Sequence, residues 1–351
     1  MAITFVMFAH GVMLGIGTYP FLRYVTIIFG VLGVEFFFVL SGFLIGRQLL
    51  DVASGEQTVK SFWWRRWFRT LPNYYIFLAA NAILYATILQ RPAGDYSFVV
   101  FSHALVTPFS STFFGESWSL AVEEWFYLLA PIFVVACSRL LPRRFNKFVV
   151  LFAMTTIILG CLIARFSVAQ SSGASIDSTL RKIVMLRLDA LAFGVVLAWL
   201  ERYQPPVFAG VSRLWWCGLL GILIAAGYLG QLAQYLAFFE PINGADRIFA
   251  PLLFTLLPLS SAMLLAAMAA AQMPERRWVV NHSKWAYSTY LLHMPLLLLI
   301  LSVSNGFTSP VAALSVFALW YAATVAGAAV IYRYYERPIM NLRERFVPLA
   351  L

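Results

Sequence analysis

Apolar stretches of about twenty residues recur from one end of this 351-residue chain to the other. That is the length needed to cross the hydrocarbon core of a bilayer. The runs are continuous rather than alternating, which argues against a membrane β-barrel. No polar segment between them is long enough to fold by itself as a soluble domain. The pattern predicts an all-α, polytopic membrane protein, built as a single integral-membrane domain over residues 1–351. About ten transmembrane helices can be drawn, over residues 1–17, 25–46, 71–90, 118–138, 148–166, 184–200, 214–232, 249–271, 285–303 and 310–332. The stretch Ser97–Phe109 is too short to span and reads as a re-entrant or interfacial piece.

Charge orients this array. The chain carries a net charge of +10, and its basic residues cluster in short segments between apolar runs. With a cytoplasmic N-terminus, the inside segments receive Arg47, Lys60, Arg65, Arg66, Arg69, Arg139, Arg143, Arg144 and Lys147, and later Arg202, Arg213, Arg276, Arg277, Lys284, Arg333, Arg337, Arg343 and Arg345. The outside segments receive far fewer, so both termini are expected in the cytoplasm. The same bias accounts for the basic balance without a nucleic-acid partner. The three cysteines, Cys137, Cys161 and Cys217, lie in or beside apolar runs and lack metal-ligand spacing, so no metal is expected. The first apolar segment has no basic n-region and no clear cleavage site, and it is short for a span, so further residues upstream are expected.

Only 11% of the residues are charged, yet several acids stand inside apolar runs. An ionised carboxylate in hydrocarbon costs several kcal/mol unless it is paired or wet. Glu35 falls about ten residues into the second span, roughly 15 Å deep. His10 lies in the first span. A short connection makes these two spans antiparallel neighbours, so His10 and Glu35 are expected to face one cavity or to form a buried pair that fixes helix register. In Trp118–Pro131 (WSLAVEEWFYLLAP), Ser119, Glu123 and Tyr127 are spaced by four and share one helix face. Glu124 then points elsewhere, toward interfacial water. Phe62–Pro72 (FWWRRWFRTLP) sets Arg65, Arg66 and Arg69 among large aromatics. Such a cluster can clamp phosphates and stack on a purine, or anchor to anionic lipid. Arg187 and Asp189 are expected to pair with each other. Gly42 and Gly46 form a GxxxG pair suited to close helix contact. His293 stands two residues before Pro295, while His103 and His282 lie between spans. No Gly-rich phosphate loop, GxSxG, HExxH or CxxC is present, and no internal repeat of the kind secondary transporters carry is visible.

Taken in order, His10, GVEFFFVLSGFLI (Gly33–Ile45), FWWRRWFRTLP, WSLAVEEWFYLLAP, RLDALAFG (Arg187–Gly194), YSTYLLHMPLL (Tyr287–Leu297) and YYERP (Tyr334–Pro338) cover nearly the whole chain. In this order and spacing the chain resembles acyltransferase family 3, bacterial membrane O-acyltransferases that modify polysaccharides, lipopolysaccharide and small molecules. The resemblance implies about ten helices in the bacterial inner membrane and transfer of an acyl group, usually acetyl. The donor would be cytoplasmic acetyl-CoA and the acceptor a hydroxyl, often of an extracytoplasmic carbohydrate. It assigns the essential histidine to His10 and the acidic position to Glu35, where the family often has Asp. It also matches Trp118, Ser119 and Glu123 to one family motif and Arg65, Arg66 and Arg69 to the basic motif that would hold CoA. An arginine-containing segment usual before the first span is absent. No hydrolase-like domain follows the tenth span, so a second acyl-handling step would call for a separate periplasmic protein.

On this reading His10 acts as general base, with Glu35 or Glu123 orienting its ring, and Ser41, Trp118, Ser119 or Tyr127 supply donors to the oxyanion. Direct transfer and an acyl-enzyme route are both open. A transporter or flippase of lipid-linked glycans is the rival class. It too would carry buried charges and basic inner segments, but no CoA site.

Overall fold

The computed structural model describes residues 2–14, 20–234, 237–271, 276–304 and 309–346, and among them the chain is an all-helical bundle. The helices are α1 (Ala2–Gly11), α2 (Pro20–Ser54), α3 (Val59–Thr87), α4 (Ser117–Leu140), α5 (Val149–Ala169) and α6 (Leu188–Tyr203). They continue with α7 (Pro205–Arg213), α8 (Trp215–Gln234), α9 (Asp246–Ala270), α10 (Arg277–Val303), α11 (Pro310–Ile331) and α12 (Arg337–Phe346).

Seven of these are long and apolar enough to cross a membrane, so the protein is a multi-spanning membrane helical bundle. The count differs from the ten spans drawn on the sequence for identifiable reasons. α6 has only 16 residues. The apolar helical stretch Ala2–Leu14 is short, and the end of the first expected span, residues 15–17, lies outside the described residues. α3 has 29 residues, but it begins well before the expected span and takes the basic cluster Arg65, Arg66 and Arg69 into its first half. Its second half carries Asn73, Asn81, Tyr74 and Tyr85, all turned inward and buried. The stretch Ser97–Phe109 forms no long helix. One short turn, Tyr96–Phe98, leads into irregular backbone packed through Phe98, Phe101, Ala104 and Phe109.

α2 is the central helix, packed against α1, α4, α6, α8 and α9. Its crossing with α6 is close because both helices present glycine. A methyl added to Gly42 would stand 2.0 Å from the Leu191 carbonyl oxygen, and one added to Gly194 would stand 2.1 Å from that of Val39. Gly46 meets Ala198 in the same seam. The GxxxG pair thus works within the chain, as a contact between backbones.

Two fully buried ion pairs cross this region. Arg187 pairs with Glu35 of α2, and Arg165 of α5 pairs with Asp189 of α6 at 2.7 Å. The expected Arg187–Asp189 pair is replaced by this exchange. Arg187 also donates to the Phe254 carbonyl at 3.2 Å, and Arg165 donates to the Leu186 carbonyl at 2.6 Å and to the Thr255 hydroxyl at 2.7 Å. Four helices are therefore joined through four charges that sum to zero. Asn73 of α3 and Ser288 of α10 both donate to Glu336, in the turn between α11 and α12, at 3.0 and 2.7 Å. That joins the third helix to the C-terminal ones.

Candidate active site

His10 lies in the last turn of α1 and meets neither expected carboxylate. Its Nδ1 lies 2.9 Å from Nε2 of His293, on α10, with the two ring planes 17° from parallel. Glu35 is instead engaged by Arg187. The His293 Nδ1 contacts the carbonyl of Tyr290, one turn earlier on the same helix. A carbonyl only accepts, so the Nδ1 of His293 carries the proton and its Nε2 carries a lone pair. Nδ1 of His10 must then be the donor in the histidine pair. The lone pair of His10 is left on Nε2, the nitrogen turned away from His293. The backbone of Tyr290 thus sets the tautomer of a ring on another helix.

α4 runs past this pair and continues toward the basic half of α3. Near the histidines, the Ser119 hydroxyl lies 2.6 Å from Tyr290 Oη, and both hydroxyls lie within 3.1 Å of the Glu116 carbonyl. One turn on, Glu123 is buried. Two turns on, Tyr127 Oη lies 2.7 Å from Ser41 Oγ of α2. Both of these hydroxyls reach Glu123 as well. Ser119, Glu123 and Tyr127 thus form one stripe about 12 Å long. Pro131, farther along, removes one backbone hydrogen bond from the same helix.

The far end of the stripe is cationic. The Arg66 guanidinium stands 5.8 Å from the centre of the Tyr127 ring, and Arg66 and Arg69 both act electrostatically on Glu123. Arg343 of α12 adds a third positive charge beside Arg66. Nε of Arg66 is buried without a hydrogen-bond partner. Arg65 is half-buried and Arg69 exposed. Trp63 donates to the Tyr127 carbonyl at 3.1 Å and stacks on Trp67, so the aromatics here brace α3 against α4.

Glu124 is buried, at 8% exposure, rather than turned to the interface as expected. Its face of α4 turns to α3, where Thr70 lies against it. Trp118 packs edge-on against Phe38 and lies under the guanidinium of Arg181, 4.8 Å from its ring centre. Sequence reasoning gave His293 and Tyr290 no role, although an intramembrane histidine three residues after a tyrosine was visible. It also passed over Arg181, which lies in a connecting segment with no recognisable motif.

The family model for an acyltransferase domain, that of acyltransferase family 3, matches residues 1–333. The chain belongs to this family. Its matched residues thus form a membrane-embedded acyltransferase domain. A Staphylococcus aureus (strain MRSA252) protein provisionally named an O-acetyltransferase is 25% identical over 91% of this chain and 55% of its own length. The peptidoglycan O-acetyltransferase of Listeria monocytogenes is 25% identical over 88% of this chain and 51% of its own length. A Caenorhabditis elegans protein named regulator of hypoxia-inducible factor 1 is 26% identical over 90% of this chain and 70% of its own length. The chain therefore spans about half the length of the bacterial relatives it matches. No solved structure matches.

Proposed function

We propose that this membrane acyltransferase takes an acyl group, acetyl foremost, from acyl-CoA at its basic end and delivers it to a hydroxyl of an extracytoplasmic carbohydrate at the histidine end. The observation that carries the reading is the stripe Ser119, Glu123 and Tyr127, which joins the His10–His293 pair to the arginine cluster through one helix. A hydroxyl is a poor nucleophile until a base removes its proton, and the lone pair on Nε2 of His10 suits that task. His293 orients the ring and shares the charge that forms on it. Glu35, held by Arg187, positions α2, while Glu123 with Ser41 and Tyr127 lines the path between the two ends.

The arginine cluster fits a phosphate-bearing donor. Arg66, Arg69 and Arg343 repel one another, and the unpartnered Nε of Arg66 is a buried donor that a phosphate oxygen would satisfy. Positive residues favour the cytoplasmic side, which supports a donor end inside and an acceptor end outside the bacterial inner membrane. The names of the bacterial relatives support acetyl as the acyl group and a cell-wall glycan as acceptor.

The test is acetyl-CoA binding to purified protein in detergent. Arg66→Ala and Arg69→Ala are each expected to weaken it by about tenfold or more, while His10→Ala leaves binding intact and abolishes transfer to envelope material. Wild-type affinity in both arginine variants would overturn the donor site. Undiminished transfer in His10→Ala, at equal amounts of protein, would overturn the base.

A further inference from the structure

Arg181 closes the wide turn Ile176–Arg181 between α5 and α6. Its Nη1 holds Asp177 at 2.8 Å, and Lys182 holds the same carboxylate at 2.5 Å, so two cations share one acid. The rest of the guanidinium faces the bundle. It lies over Trp118, and its Nη2 reaches the Gly30 carbonyl of α2 at 3.4 Å. Its Nε is buried and has no hydrogen-bond partner. Gly30 in turn packs on α1, where a methyl added to it would touch Ala9 Cβ at 3.4 Å. Ala9 precedes His10, and the charges of Arg181 and Lys182 both act on the His10 ring. The contacts close a circuit from His10 through His293, Tyr290, Ser119 and the adjoining Trp118 to Arg181, and back through Gly30 and Ala9.

Acyl transfer needs a donor for the oxygen that becomes negative, and within this circuit the hydroxyl and imidazole donors are engaged. Ser119 and Tyr290 have two hydroxyl protons between them. One goes to the Glu116 carbonyl and the other to the partner hydroxyl. The Nδ1 protons of His10 and His293 go to His293 Nε2 and the Tyr290 carbonyl. The buried Nε–H of Arg181 is not engaged, and a buried donor left unmet is costly.

We propose that Arg181 is a catalytic residue whose Nε–H donates to the oxyanion of acyl transfer. The assignment rests on the acyl-transfer reading above. As the acceptor oxygen bonds to the acyl carbon, the carbonyl π pair moves onto its oxygen, facing Arg181, and the hydroxyl proton passes to Nε2 of His10. When that oxygen re-forms the carbonyl, the C–S bond breaks and the thiol leaves with the proton from His10. Asp177 fixes the guanidinium in place, and the Trp118 face beneath it excludes water, which strengthens the donor.

The experiment follows label from [14C]acetyl-CoA into hydroxylamine-labile envelope material, in membranes from cells expressing each variant. Loss of one oxyanion donor lowers turnover by about 10²–10³-fold. Arg181→Ala is expected to show that loss, to keep wild-type acetyl-CoA affinity and thermal stability, and to regain turnover with added methylguanidinium. Arg181→Lys, which lacks the Nε–H, should stay low. Turnover within about threefold of wild type in Arg181→Ala overturns the assignment. So does a loss that comes with a lowered melting temperature and is not rescued by methylguanidinium, since that marks a purely structural tether. A wild-type protein that neither binds acetyl-CoA nor moves label overturns the acyl-transfer reading, and Arg181 with it.

Discussion

Replacing Glu35 by glutamine separates a structural carboxylate from a catalytic one. Glu35 and Arg187 are 1% and 0% exposed, and the guanidinium also meets the Phe254 carbonyl and ring. Removing the carboxylate charge leaves Arg187 as an uncompensated cation, and the neighbouring Asp189 is already held by Arg165. Breaking a buried pair from one side costs about 3–5 kcal/mol. Glu35→Gln, Glu35→Leu and Arg187→Met should each lose about that much, read as unfolding free energy of the detergent-solubilised protein. The double variant Glu35→Leu/Arg187→Met removes both charges and puts apolar volume in their place, so it should lie within about 1–2 kcal/mol of wild type. The coupling energy of the cycle then comes out at several kcal/mol, well above the range for residues that do not touch. Singles that each cost under about 1 kcal/mol would refute the argument. A double variant as unstable as the two singles summed would refute it as well.

Three further outcomes test other parts of the structure. Gly42→Ala puts a methyl 2.0 Å from the Leu191 carbonyl oxygen, so α2 and α6 must separate, at a cost of about 1–3 kcal/mol. Gly227→Ala on α8 meets open space and should be neutral or stabilising in the same thermal-unfolding assay. His103, in the segment between α3 and α4, stacks on Phe98, and burial holds its ring below the usual imidazole range, at about 4. As pH falls from about 6.5 toward 4, the unfolded chain takes up that proton first, so stability drops in this window. His103→Phe should show a shallower drop, and equal slopes in the two proteins would refute the assignment.

Legibility followed the range of the interactions. The apolar runs marked the long helices, because a bilayer demands about twenty residues whatever else the chain does. Spacing by four placed Ser119, Glu123 and Tyr127 on one face, since that is a property of a single helix. Gly42 and Gly46 announced a close crossing but not that Gly194 and Ala198 would meet them. The partner of His10 was not legible. It lies on the tenth helix, and no local pattern tells which of several buried polar groups will touch. The same holds for Glu35, whose counter-ion precedes α6. For Glu124, the expectation of water failed because Asn73, Tyr74 and their neighbours make α3 polar on its inner face, and that face covers α4. The polarity of that face is what allowed α3 to pack there.

The length of α2 has a practical consequence. At 35 residues it is about 52 Å long, against a hydrocarbon core of about 30 Å, so it overhangs by several turns. The overhanging end is braced to α6 by Arg47–Glu201 and Arg202–Asp51, and the chain turns back at exposed Gly55, with φ at +83°, before Thr58 caps α3. A helical protein spliced into this turn in phase with α2 would inherit its direction rather than swing on a tether. It would give a small bundle, otherwise buried in a detergent belt, a rigid marker for single-particle imaging.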